Sequence, residues 1–153
     1  LPRMYWAPHV TVAAVIEHDN RFLMVEETSD GQQVYNQPAG HLERGESLLE
    51  AICREVREET CRRFTPEALV GVYQWHKPGS DDSFLRVCYR GHVSEPLADC
   101  ALDPDISATH WLSLAELHAR AQAAQLRSPL VLRCLEDACA GRAWPLDLLQ
   151  VED

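Results

Sequence analysis

Between Gly40 and Glu59 the chain reads Gly-His-Leu-Glu-Arg-Gly-Glu, then seven residues, then Arg-Glu-Val-Arg-Glu-Glu. One glycine, an isolated carboxylate at Glu46 and a cluster at Glu55, Glu58 and Glu59 stand at fixed separations. Crowded carboxylates are what a hard divalent cation requires, because Mg²⁺ takes oxygen ligands and keeps several waters. A merely solvated helix face would pair opposite charges one turn apart. Here Glu55 and Glu59 are like charges at i,i+4, which costs roughly 0.2–0.5 kcal/mol.

The element that must position them is a helix opening at Glu46 or Ser47 and running to about Phe64. Leu48, Leu49, Ile52, Cys53, Val56 and Thr60 form its apolar stripe at helical spacing. At about 100° per residue, Glu59 falls just inside one edge of that stripe, Glu55 just outside it and Glu58 one step further. Glu50, Arg54 and Arg57 fall on the opposite, solvated side.

Around this helix, His9 to Glu17 and Arg21 to Glu26 read as a hairpin, rich in Val and Ile with a His-Asp-Asn turn. Thr28 to Gly31 is a loop, and Val34 to Gln37 is a short extended segment ended by Pro38-Ala39-Gly40. Glu67 to Lys77, Phe84 to Val93 and Ala108 to Leu112 read as further strands. Ser113 caps a helix through Ala124, and Ser128-Pro129 opens a last helix that Gly141 ends near Ala140. Hairpins mixed with a helix between strand pairs favour a mixed sheet with helices on both faces.

The 153 residues suit one domain, residues 1–153, with 1–7 as a disordered or non-native leader. A net charge of -10 argues against nucleic-acid or anionic-membrane partners, which need clustered Lys and Arg. It leaves room for an anionic small molecule where bound cations invert the local field. Cys53, Cys61, Cys88, Cys100, Cys134 and Cys139 form no C-x-x-C pair. Their scatter reads as individual thiols in a reducing compartment, with the cytoplasm as the default.

The stretch from Gly40 to Glu59 resembles the signature of the Nudix hydrolases, whose last two positions, a glycine and an aliphatic residue, are Cys61 and Arg62 here. The resemblance implies a Nudix α/β/α sandwich with a mixed sheet, and a box that holds Mg²⁺, or Mn²⁺ in its place, against a substrate diphosphate. Glu55, Glu58 and Glu59 would be metal ligands, and Glu55 would also help activate water. Glu46 would orient the loop through an ion pair with Arg54, and the carbonyl of Ala39, beside Gly40, would add a backbone ligand. The implied chemistry is hydrolysis of a phosphoanhydride, since a metal-bound water acquires a usable pKa and cations offset phosphoryl charge. Pro8–Ala13, Val25–Thr28, Asn36–Glu43, Leu126–Val131 and Trp144–Leu146 are similar to a phosphate-releasing branch of the family. That branch acts on nucleoside tri- and diphosphates and on hydroxymethylpyrimidine diphosphate.

An acidic residue before Trp111, Asp105 or its near competitor Asp103, is the expected extra metal ligand on the same pattern; a turn aspartate is the plainer reading. Tyr35, Gln37, Trp75 and Arg127 are candidate substrate contacts together with Gly40. Trp75 is the best stacking platform, although lone strand aromatics are more often core. His41 reads as a structural hydrogen-bonder rather than a general base. Cys61 would be strained in the left-handed conformation of the glycine it replaces, by roughly 1–2 kcal/mol, so the helix is expected to continue past it. Pro78 leaves an ADP-sugar diphosphatase as the alternative enzyme, and a non-catalytic nucleotide sensor is the alternative of another class. A monomer or weak homodimer is expected.

Overall fold

The computed structural model describes residues 5–152. In chain order the elements are β1 (His9–His18), β2 (Arg21–Ser29), β3 (Gln32–Asn36), β4 (Ala39–His41), α1 (Leu48–Thr60), β5 (Phe64–His76), β6 (Ser83–Val93), β7 (Ile106–Ser113), α2 (Leu114–Gln122) and α3 (Leu130–Cys139), followed by a 3₁₀ turn at Leu146–Leu148. The leader expectation for residues 1–7 falls partly on residues 1–4, outside the described ones.

β4, β1, β6 and β5 lie side by side, with β1 and β6 parallel and the other pairings antiparallel. β3, β2 and β7 form an antiparallel group joined to the first at the tip of the β1–β2 hairpin. The sheet is mixed and flanked by helices, an α/β sandwich.

Period-two alternation along β1 assigns its residues to two cores. Val12, Ala14 and Ile16 pack with Ala51, Ile52 and Val56 of α1 on one face. Ala13 and Val15 pack with Val131, Cys134 and Leu135 of α3 on the other. Each Val, Ile or Leu among them, fully buried, stabilises by about 1.5–3 kcal/mol. α1 begins with a reciprocal cap: the Glu50 amide donates to Ser47 Oγ, and the Ser47 amide donates to the Glu50 carboxylate, both at 3.1 Å. Ser113 caps α2 by the single bond from the Glu116 amide to its Oγ.

Three expectations are corrected. Pro38-Ala39-Gly40 reads as ending the strand, but Ala39, Gly40 and His41 form β4 by pairing with Ala13, Val12 and Thr11. A three-residue edge strand has too little periodicity to stand out in a sequence. α1 stops at Thr60 rather than near Phe64: Cys61 is left-handed, with φ 55° and ψ 36°, and its amide donates to the Arg57 carbonyl. Cys61 is also disulfide-bonded to Cys100, so those two cysteines are not individual thiols and the cysteine argument for a reducing compartment loses its ground. The bond and the hydrogen bond from the Leu97 amide to the Cys61 carbonyl hold the strained residue in place. Chain-local steric preference lost to a crosslink whose partner lies 39 residues away.

Candidate active site

Gly40 sits on the edge strand β4 where α1 crosses closest. A methyl group there would overlap the Glu55 carboxyl, so only a glycine lets the helix carboxylate approach the strand. Glu59, one turn on, is buried and accepts the Ala39 amide at 2.8 Å. The backbone of Ala39 is therefore seen to act here through its N–H, toward a carboxylate, whereas its carbonyl was the expected ligand. Glu58 is exposed. The order of depth, Glu59, then Glu55, then Glu58, follows the helical geometry expected from the sequence.

Arg54 is not on the solvated side. Its long stem curls back over the preceding loop, and its guanidinium is largely covered. It makes a two-pronged pair with Glu46, Nε to Oε2 at 3.0 Å and Nη2 to Oε1 at 2.7 Å, and Nη2 also donates to the His41 carbonyl at 3.0 Å. Glu46 in turn accepts the Glu43 amide at 2.8 Å. These contacts tie the 41–46 loop to α1, and the Arg54 guanidinium holds the Glu46 carboxyl below the usual carboxylate range. Arg54 Nη1 further contacts Glu55 at 2.8 Å and Glu58 at 3.3 Å.

Burial pushes the Glu59 carboxyl up to about 9, aided by repulsion from Glu55, Glu27 and Asp103 and opposed by the Ala39 amide. Burial also raises Glu55, against the pull of Arg54. Carboxylates that resist ionising together form a donor set that a divalent cation relieves, because its charge inverts the local balance. The chemistry of the set therefore fits a hard cation. No three Asp, Glu, His or Cys side chains among the described residues already surround one point, since Arg54 engages Glu55 and Glu58 while Ala39 engages Glu59.

Of the two expected acidic residues, Asp103 is the one that docks on the end of the box helix. Its amide donates to the Glu58 carbonyl at 2.8 Å, and its charge is felt by Glu59. Asp105 is exposed, its amide donating to Asp103 Oδ1. The choice turns on how the loop docks on the end of α1, which spacing before Trp111 does not encode.

On the other side of β4 lies a cleft of about 270 Å³. Ala39, Gly40 and His41 form one wall. Trp75 and Phe84 stack at 5.7 Å between centroids, and His9 stacks on Phe84 at 5.0 Å, giving the cleft an aromatic side. Glu27, buried on β2, accepts Arg127 Nη1 at 2.7 Å and Asn36 Nδ2 at 3.2 Å. Arg127, expected at a helix entrance, does precede α3, and part of its charge is taken up by Glu27. Burial, with His9 and Arg127 nearby, lowers the His41 imidazole pKa, which favours its neutral form.

Trp75, Gly40 and Arg127 thus reach the cleft, and Tyr35 and Gln37 do not. The Tyr35 ring lies under the Arg120 guanidinium, 4.7 Å from its centroid, and edge-on to His110. Gln37 is fully buried, donating to the Ala14 carbonyl at 3.1 Å and accepting Arg86 Nη1 at 2.8 Å. Trp111 carries Arg62 over its ring. Arg86 and Glu27 were missed. Both are charged residues in strands, and the available signal was a charge at an inward position of an otherwise apolar strand.

The model of the NUDIX domain matches residues 7–134. The chain belongs to the Nudix hydrolase family. Phosphatase NudJ of Escherichia coli K12 is 39% identical over 142 residues, covering 93% of this chain and 90% of the relative. Among solved structures, a NUDIX hydrolase from Nitrosomonas europaea has 46% identity and a TM-score of 0.89, covering 95% of this chain and 98% of its own. An ADP-ribose pyrophosphatase from Streptococcus suis, at 17% identity and TM-score 0.68 over 90% of this chain and 96% of its own, shares the fold. The stretch Gly40–Glu59 is then a Nudix box on a Nudix phosphohydrolase. No helix among the described residues is long and apolar enough to cross a membrane.

Proposed function

We propose that this Nudix hydrolase is a Mg²⁺-dependent phosphatase that releases phosphate from nucleoside tri- and diphosphates and from hydroxymethylpyrimidine diphosphate. The observation that carries the reading is the packing of Glu55 and Glu59 against the β4 backbone at Gly40 and Ala39, directly beside an aromatic-sided cleft. Likeness to phosphatase NudJ over nearly the whole chain supports phosphate as the leaving product.

In this reading Glu55, Glu58 and Glu59 hold the cation, with Asp103 contributing from its loop. When bound, the cation makes water a usable nucleophile and offsets phosphoryl charge. Arg54 and Glu46 keep the 41–46 loop fixed to α1, so the carboxylates meet the diphosphate at a set distance from β4. Trp75 and Phe84 take the face of the heterocycle, and Arg127, anchored by Glu27, faces the phosphates from the entrance of α3. The chain acts as a single domain on small anions, as a monomer or weak homodimer.

A substrate panel scored for phosphate, pyrophosphate and nucleoside monophosphate tests this. Phosphate release from nucleotides and from hydroxymethylpyrimidine diphosphate is expected, lost with chelator and restored by Mg²⁺ or Mn²⁺. AMP and ribose 5-phosphate from ADP-ribose, with no phosphate from nucleotides, would replace it with an ADP-sugar diphosphatase.

A further inference from the structure

Two buried side-chain polar atoms among the described residues lack a hydrogen-bond partner, Arg86 Nε and Asn36 Oδ1, and both residues line the same cleft. One is a donor and the other an acceptor. Arg86 is 6% exposed; Nη1 donates to Gln37, and no carboxylate among the described residues pairs with the guanidinium. Arginine is always charged, and a buried cation without an anion is costly. A ligand in the cleft can supply the missing acceptor. Gln37, itself anchored on the Ala14 carbonyl, holds it in place.

The orientation of Asn36 is settled by its neighbour. Glu27 Oε1 also accepts from Arg127, so it faces the Asn36 nitrogen, and the Asn36 oxygen points away from the carboxylate. Strand register then sets the spacing. Arg86 pairs with Thr11, and Thr11 with His41; two residues earlier on the same strands, Phe84 pairs with His9, and Trp75 pairs with Phe84. Residues two apart share a face, about 7 Å from one another, so a ring seated on Trp75 and Phe84 has Arg86 on one side of it.

We infer that Arg86 and Asn36 read the edge of the substrate's nitrogen heterocycle. Arg86 donates to a ring nitrogen or carbonyl oxygen, Asn36 accepts from the adjacent N–H or amine, and the ring lies along Trp75 and Phe84. A phosphate would satisfy Arg86 alone, since phosphate oxygens offer no donor and would be repelled by Asn36 Oδ1 and Glu27. The inference rests on the proposed reading that the cleft takes a heterocyclic diphosphate.

The test compares cytidine diphosphate with the 2-pyridone riboside diphosphate, which keeps the ring and loses the N3 and 4-amino edge. Wild type should prefer cytidine diphosphate by at least about tenfold in kcat/KM, because a site built around hydrogen bonds rejects a ligand lacking them. Arg86→Met should bring the ratio near one, almost entirely through KM. Arg86→Lys, which keeps a cation and a donor for Gln37, should give an intermediate ratio and guards against misfolding. An unchanged ratio in both variants, equal losses on both substrates, or no preference in wild type would overturn the assignment. Absence of phosphate release from every nucleotide would instead count against the proposed function. Calorimetric binding of cytidine monophosphate against the pyridone monophosphate would then still decide the role of Arg86.

Discussion

The box and the cleft lie on opposite sides of the same three-residue strand, and they are assembled in opposite ways. The box is nearly contiguous: Gly40 on β4, Glu46 in the loop that follows, and Arg54, Glu55 and Glu59 on α1. The cleft draws Glu27 from β2, Asn36 from β3, Trp75 from β5, Arg86 from β6 and Arg127 from the segment before α3. On the proposed reading, reaction type is held in a local unit and substrate choice is spread over the tertiary structure. Changes in the box should lower turnover on every substrate, whereas changes in the cleft should move KM and selectivity.

The largest expected effect is in the box. Glu55→Gln should lower kcat by on the order of 10³-fold or more on all substrates, measured at saturating Mg²⁺, with the melting temperature preserved. Wild-type turnover would remove Glu55 from the site. Gly40→Ala forces the Glu55 carboxyl away from β4, and about 10²-fold is expected in kcat, since a 1 Å misplacement can cost that much.

The exit of the box helix depends on a contact outside it. Cys100→Ser opens a crosslink between residues 39 apart, which in the loop-entropy account removes about 4 kcal/mol of stability. For a chain of this size that is about 10 °C in Tm by calorimetry, reproduced in wild type by a reducing agent. An unchanged Tm under both conditions would show that the left-handed Cys61 needs no crosslink. In the cleft, Trp75→Ala should raise KM about tenfold for nucleotides, as expected for one lost stacking contact, with kcat little changed. A fall in kcat with KM constant would merge the two regions functionally.

The smallest effect concerns Glu59 in the presence of chelator. Its carboxyl is raised in the fold, so the stability it contributes is fully present below the unfolded value near 4.5 and is lost as pH rises through about 9. Glu59→Gln stays neutral and keeps an oxygen for the Ala39 amide. Its Tm advantage over wild type should therefore grow from pH 5 to pH 9. A constant difference across that range would show that Glu59 is not buried as described.

Much of the fold was legible in the chain. β1, β2, β6 and α1 announce themselves because burial on one or two faces imposes a period, and Ser47 and Ser113 are caps because their hydroxyls sit where orphan amides need them. β4 was not legible, since three residues carry no period and the pairing with β1 alone defines them. Helical geometry ranked Glu59, Glu55 and Glu58 by depth correctly, yet it sent Arg54 outward. A wheel places Cβ atoms, and a long side chain is free to return toward carboxylates near its root.

By itself, then, the sequence determined the reaction-bearing unit: a glycine, a capped helix and carboxylates at fixed separations, all related by local geometry that any helix enforces. Only the tertiary structure decided which acidic residue, Asp103, docks on the helix, that Cys61 turns left-handed against Cys100, and that Gln37 supports Arg86 while Tyr35 faces elsewhere. Each of those outcomes depends on the position of residues distant in the chain. A contact between strands is set by register and packing, and neither is a property of the short segment on which a motif is written.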